Sequence, residues 1–164
     1  MVNKKEEKKS DLSLLDTKST LKLLKKYNIN TCKTEVAVDI KEFDSKQKKV
    51  GFPCVVKLAS LETLHKTDSG AVIVGINDSK SLKEAKQKIS KIIKNKKIKN
   101  YEIIIQEMIS GIELFFGMKR SKSFGPAILF GNGGIYVELY KDVSLRVTPL
   151  NRSDAKEMID EMQA

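Results

Sequence analysis

Apolar positions along the chain follow two spacings, and the alternation between them predicts the elements. Between Thr17 and Tyr27, Leu21, Leu23 and Leu24 recur among lysines, with Asp16 just ahead of them. An acceptor side chain before a helical pattern predicts a capped helix, here ending at Asn28. Thr34 to Val38 reads as a short strand, and Asp39 to Val50 as a helix with a modest apolar face that Gly51-Phe52-Pro53 breaks. Cys54-Val55-Val56-Lys57-Leu58-Ala59 is β-branched and apolar with one lysine embedded, hence a strand, and Ala71 to Ile76 is another. Leu82, Ala85, Ile89, Ile92 and Ile93 then return at helical spacing, which predicts a helix with one apolar face.

Tyr101 to Ile105 is a strand running into Gln106-Glu107-Met108-Ile109, and Ile112 to Met118 follows the Ser110-Gly111 turn as the next. Phe124-Gly125-Pro126 opens a strand from Ala127 to Phe130. Gly131-Asn132-Gly133-Gly134 is a tight loop before a strand from Ile135 to Leu139. Val143 to Val147 is the last strand, and Asn151 onward is a helix that stops at Ala164. Helices first, then strand, helix and a run of short strands joined by glycine turns make an α+β arrangement rather than a repeated βαβ unit.

The 164 residues suffice for one domain with a real core, or for two small lobes sharing a cleft. Hydrophobic residues at 40% and charged residues at 32% describe a soluble globular protein, and no apolar run approaches the roughly 18 residues that cross a bilayer. Residues 1–15 read as a disordered basic leader. Met1 to Ser10 is rich in Lys and Glu with no apolar core, so it is not a secretory signal. Cys32 and Cys54 have no CxxC partner and read as small buried apolar residues of a reducing, cytoplasmic compartment.

The net charge of +10 raises the question of nucleic acid. From Lys80 to Asn100 there are nine lysines and one glutamate, on the solvated face of the predicted helix. Arginine forks for phosphates and interleaved aromatics for bases are missing there, which disfavours a nucleic-acid partner. Such a field would also attract anionic nucleotides.

His65 is the only histidine, in Leu64-His65-Lys66-Thr67-Asp68-Ser69-Gly70 between two strands. Its imidazole titrates nearest neutral pH and can act as a covalent nucleophile; an exposed loop histidine without a task is the plain alternative. Lys57 would attract a phosphate in a partly desolvated cleft, unless it sits outward with its ammonium in water. Ser69 and Gly70 can present backbone N–H groups to phosphate oxygens. Glu107 and Glu113 bracket a glycine turn, where a carboxylate could accept from sugar hydroxyls or an exocyclic amine while the backbone of Met108 and Ile109 reads an adenine edge. Simple polar strand ends would look the same. The Gly131–Gly134 loop is neither a Walker A loop nor a Rossmann fingerprint.

Together these segments resemble one family. Gly51-Phe52-Pro53-Cys54-Val55-Val56-Lys57-Leu58-Ala59-Ser60 and Leu64-His65-Lys66-Thr67-Asp68-Ser69-Gly70-Ala71-Val72 look like the start of the ATP-grasp subunit of ADP-forming acyl-CoA synthetases. Gln106-Glu107-Met108-Ile109 with Gly111-Ile112-Glu113-Leu114 is similar to that family's hinge. Phe124-Gly125-Pro126, Gly131 to Glu138 and Lys141-Asp142-Val143-Ser144-Leu145-Arg146 continue the match in order. The helix through Leu23 and Tyr27 fits the family's first helix, so the resemblance runs from about Asp16 to Ile159.

The resemblance implies an ATP-grasp domain over 16–164: two small lobes of mostly antiparallel sheet with helices around a nucleotide cleft. It implies ATP or ADP and Mg²⁺ as cofactors. Lys57 would hold phosphates, and Ser69 and Gly70 would belong to the covering loop. Glu107, Met108 and Ile109 would face adenine, and Glu113 would meet the ribose. In the acetate- or acyl-CoA ligases it resembles, a companion, CoA-binding α-type subunit makes acyl phosphate and carries its own phosphohistidine on a mobile segment, and His65 falls at the position of the histidine that takes that phosphoryl group before ADP accepts it. A hetero-oligomer follows, without nucleic acid or membrane.

This chain departs from the family in having Gly70-Ala71 where members usually have Gly-Gly. The family also continues beyond the last helix with an Asp-x-Asn-Pro strand that supplies Mg²⁺ ligands, leaving Glu138 as the remaining candidate for a metal-facing carboxylate. A non-catalytic ATP-grasp-like regulatory or partner-binding module is the alternative reading, and a basic nucleic-acid-binding domain a lesser one.

Overall fold

The computed structural model describes residues 15–60, 71–134 and 142–162. The chain divides into two compact units, Met1–Ile109 and Ser110–Ala164.

The first unit is built on a four-stranded sheet, β1 (Thr34–Ala37), β2 (Cys54–Ser60), β3 (Val72–Ile76) and β4 (Tyr101–Glu107), in the antiparallel order β1-β4-β2-β3. Three helices, α1 (Thr17–Lys26), α2 (Phe43–Val50) and α3 (Ser79–Asn95), complete it. Side chains alternate across the pleat, so Cys54, Val56 and Leu58 lie on one face with Ile103 and Ile105, their cross-strand partners being Glu107, Ile105 and Ile103. This is the covered face: these five residues share one buried cluster with Phe43 and Val50 of α2 and Ala85 and Ile89 of α3.

The helices form where the sequence supplies both a stripe and a cap. α2 buries Phe43, Gln47 and Val50 at helical spacing. In α3, Ala85 and Ile89 are buried and Leu82, Ile92 and Ile93 pack against the core, which are the five positions the apolar pattern predicts. Asp78 accepts the Ser81 N–H at 2.7 Å, and the Ser81 hydroxyl returns toward the cap backbone, so the helix start is closed from both sides. Asp16 accepts the Ser19 N–H at 2.6 Å at the head of α1, and that bond lowers the Asp16 pKa. β3 carries one extra residue opposite Cys54–Val56. Gly75 takes φ +71 there, a left-handed conformation in which a side chain would be strained.

The second unit is an antiparallel meander, β5 (Leu114–Ser121), β6 (Gly125–Asn132) and β7 (Val143–Val147), with α4 (Arg152–Asp160) packed on β7 and β6. The Ser144 hydroxyl, itself buried, donates to Glu161 Oε2 at 2.5 Å, and Arg146 binds the other oxygen of that carboxylate. Two residues of β7 thus dock the end of α4, with Met158 buried beneath. Much of the sheet is uncovered. Phe116 and Met118 on one face are 70% and 74% exposed, and Phe115, Val143, Leu145 and Val147 on the other are exposed as well.

Candidate functional site

Lys57 lies in the middle of β2, an interior strand, with Ile104 of β4 on one side and Val72 of β3 on the other. Strand alternation puts it on the face opposite the helix-covered core, with Val55 and Ala59. The side chain is half-buried, and among the described residues it has no carboxylate partner. Apolar Val55, Ala59, Ile104 and Val72 flank it on the sheet and reduce the local polarity, and no described carboxylate supplies a counter-charge. Both conditions strengthen its attraction to an incoming anion.

Glu107 ends β4 with its functional groups already engaged. Its N–H donates to the Lys33 carbonyl at 2.9 Å, and its Oε2 accepts the Lys33 N–H at 3.3 Å. Alternation puts its side chain with Ile105, on the opposite face from Lys57. The next N–H, of Met108, donates to the Pro53 carbonyl at 3.0 Å. This latch ties the strand end to the turn before β2. Beyond it the Met108 carbonyl and the Ile109 N–H have no hydrogen-bond partner among the described residues, and the Met108 and Ile109 side chains are exposed. The Lys33 and Pro53 backbone partners had no mark in the sequence, because a carbonyl looks the same on any residue.

In the second unit Glu113 and the glycine loop, predicted as separate features, come together. Leu114 pairs with Asn132, so the turn after β6 folds back over Glu113. The Gly133 N–H donates to the Glu113 carbonyl at 2.7 Å. A Cβ on Gly133 would fall 2.8 Å from the Glu113 carbonyl carbon, and one on Gly134 would fall 2.8 Å from its Oε2. Gly134 also has φ +66, a left-handed conformation that favours glycine whatever the position of the Glu113 side chain. Asn132 adds a brace, donating through Nδ2 to Asp142 Oδ2 at 2.9 Å. The Glu113 backbone is therefore held by the glycine loop, and its exposed carboxylate lies beside the Gly134 backbone.

His65, Ser69, Gly70 and Glu138 lie outside the described residues, as do the predicted strand from Ile135 to Leu139 and the leader apart from Leu15. Among the described residues no group of three or more His, Cys, Asp or Glu side chains converges on a metal position. Cys54 is buried as expected, and burial pushes its thiol pKa up. Cys32 differs: it is half-buried, and its sulfur accepts from Gln106 Nε2 at 3.7 Å and lies 3.6 Å from the Thr34 hydroxyl. Polar neighbours on the β1 lead-in explain the difference. No described helix is long and apolar enough to cross a membrane.

With this geometry in hand, the relatives can be placed. The ATP-grasp domain family matches residues 6–164, and the chain belongs to that family. The β subunit of ADP-forming acetate–CoA ligase I from Pyrococcus furiosus is 39% identical over 145 residues, covering 87% of this chain and 62% of that one. ADP-forming 4-hydroxybutyrate–CoA ligase from Nitrosopumilus maritimus is 39% identical over 140 residues, covering 84% of this chain and 20% of that one. Acetyl-coenzyme A synthetase 1 of Ca. Korarchaeum cryptofilum, solved with coenzyme A and Ca-AMPCP, superposes with a TM-score of 0.78 at 33% identity. It covers 89% of this chain and 65% of that one. The chain thus spans less than two thirds of the length of these relatives.

Proposed function

We propose that this chain is the nucleotide-binding and phosphoryl-transfer part of an ADP-forming acetate- or acyl-CoA ligase of the cytoplasm. It would work with a CoA-binding α-type subunit as a hetero-oligomer. The observation that carries the reading is Lys57: an ammonium without a counter-charge among the described residues, mid-strand, on the face of an ATP-grasp sheet opposite its helix-covered core. In the proposed site it neutralises phosphate oxygens. The Met108 carbonyl and Ile109 N–H take the donor and acceptor edge of adenine, with Glu107 holding that backbone in place through Lys33. Glu113, whose backbone carbonyl the Gly133 N–H binds, accepts from the ribose hydroxyls.

His65 is proposed as the phosphoryl carrier. A neutral ring nitrogen attacks phosphorus on the companion subunit's phosphohistidine, which a mobile segment brings to this site, forming a new N–P bond as the companion's N–P bond breaks and its imidazole leaves. A terminal phosphate oxygen of ADP then attacks the same phosphorus, the N–P bond breaks, and ATP and neutral imidazole result. With a reference pKa of about 6.5, much of the imidazole is nucleophilic at neutral pH. Ser69 and Gly70 would cover the phosphates from the same loop. One Korarchaeum relative, 33% identical, was solved with Mg-AMPPCP and a phosphohistidine segment pointing towards its nucleotide-binding site. Mg²⁺, when bound, would neutralise phosphate charge.

The test supplies this chain with a CoA-binding companion subunit, acetyl-CoA, radiolabelled phosphate and Mg²⁺. Acid-labile, base-stable label on His65 is expected. His65→Ala removes it and leaves nucleotide affinity within about twofold. Label that survives in His65→Ala would overturn the assignment, and nucleotide binding without any label would favour a non-catalytic module.

A further inference from the structure

We propose that the α2–α3 face of the first unit is a docking surface for an acidic polypeptide segment that carries an apolar anchor. Lys57 is on the opposite side of the sheet, so this inference stands whether or not the nucleotide reading does.

A groove of about 750 Å³ runs between the two helices. Its apolar floor is Leu82, half-buried, and Phe52, whose ring is 43% exposed on the turn after α2. Its rims are Lys48 of α2 and Lys83 and Lys86 of α3. Asp44 is the one acid in the lining, and it is already paired with Lys86 at 2.6 Å.

From this groove a row of cations continues along α3. Lys80, Lys83, Lys91 and Lys94, with Gln87 between them, are all exposed. At 100° per residue they fall within about a quarter of the helix circumference, and they extend over roughly 21 Å. Lys48, Lys80, Lys83, Lys91 and Lys94 form no ion pair among the described residues.

A solvated helix face ordinarily interleaves both signs, since opposite charges three or four residues apart stabilise a helix and like charges destabilise it. Here Lys80–Lys83, Lys83–Lys86, Lys88–Lys91 and Lys91–Lys94 are all like-charge pairs at that spacing, and Glu84 is the only acid of the helix. Carboxylates laid along the row would relieve that repulsion.

The occupant's chemistry follows from the lining. A nucleic acid would leave the Phe52–Leu82 floor unfilled and would find no arginine, because the three arginines of the chain are at 120, 146 and 152. The one buried polar side chain of the lining, Gln47, already donates through Nε2 to the Gly51 carbonyl at 3.1 Å, which leaves little to orient a small metabolite. An acidic helix or strand with a leucine-sized anchor meets both parts, as in helix-in-groove recognition.

The probe is a fluorescent fifteen-residue glutamate-rich peptide with two leucines four apart, titrated against the full chain by anisotropy. Its leucine-to-alanine version and a 20-base-pair duplex DNA are run beside it. Lys83→Glu with Lys94→Glu should weaken the leucine peptide at least tenfold, and Lys83→Gln with Lys94→Gln by a smaller factor. Lys18→Glu with Lys22→Glu on α1 changes net charge equally and should shift affinity less than twofold. Phe52→Ala should weaken the leucine peptide severalfold and leave the alanine peptide alone. Equal losses from the α1 pair, equal binding of the two peptides, or tighter binding of the duplex lost in the α3 variants would each overturn the proposal, as would no peptide binding at low salt. Circular dichroism on each variant keeps unfolding distinct from lost binding.

Discussion

Gly134 and Glu113 are in such close apposition that a methyl group added to Gly134 would push the Glu113 carboxylate aside: a Cβ there would stand 2.8 Å from Glu113 Oε2. The backbone of Gly134 is also left-handed, which adds strain of about 1–2 kcal/mol for a residue with a side chain. Gly134→Ala is therefore expected to displace the carboxylate and to weaken binding of a non-hydrolysable ATP analogue about as much as Glu113→Gln. Isothermal titration of both variants and the double variant tests the coupling. Additive losses would show that the two residues act separately.

Lys57 offers a cleaner separation of binding from folding. Lys57→Met keeps a long apolar stem between Ile104 and Val72 and removes only the charge. Nucleotide affinity should fall at least tenfold, about 1.4 kcal/mol, with thermal stability little changed. Lys57→Arg should recover part of the loss. An unchanged affinity in Lys57→Met would remove the lysine from the site.

Acid should loosen the second unit. The Arg146 hydrogen bond, and then that from Ser144, hold the Glu161 carboxyl below the ordinary glutamate range. Because the folded state binds this proton less readily than the unfolded chain, its contribution is complete above the usual value of about 4.3. It is lost as pH falls through the lower folded value. Amide exchange at Ser144 to Arg146 should accelerate below that range in the wild type. In Glu161→Gln it should already be faster at pH 7 and respond less to acid.

Phe43 is fully buried among Gln47, Val50 and the sheet, with the Lys86 ammonium 5.8 Å from its ring centre. Phe43→Ala should cost about 3–5 kcal/mol in chemical denaturation. Ile159→Ala, at an exposed site, should stay within about 0.5 kcal/mol.

The sequence made some of this readable and hid the rest for identifiable reasons. Repeating apolar spacing over seventeen residues placed α3 and its core face. The stretch from Asp39 to Val50 instead begins as a 3-10 turn over Ile40–Glu42, because Asp39 accepts the Lys41 N–H at 2.8 Å before α2 starts at Phe43. The strand expected from Ile112 to Met118 begins at Leu114 and continues to Ser121, its polar end carried by pairing with β6 rather than by its own residue types. The Tyr101 strand extends to Glu107 through its pairing with Cys54.

Lys57 could be read as an edge residue until the strand order made β2 interior. Glu113 and Gly134 are far apart in sequence, and their contact depends on an antiparallel register that a one-dimensional pattern does not contain. His65, Ser69, Gly70 and Glu138 rest on the sequence reading alone.

The partly uncovered meander of the second unit has a practical corollary at the bench. Phe116, Met118 and Leu145 turn oil toward water on both sides of one thin layer. Such a surface clings to phenyl resins and takes up polarity-sensitive dyes. Ammonium sulfate should drive the protein out of solution early, whereas mild non-ionic detergent should keep it dispersed.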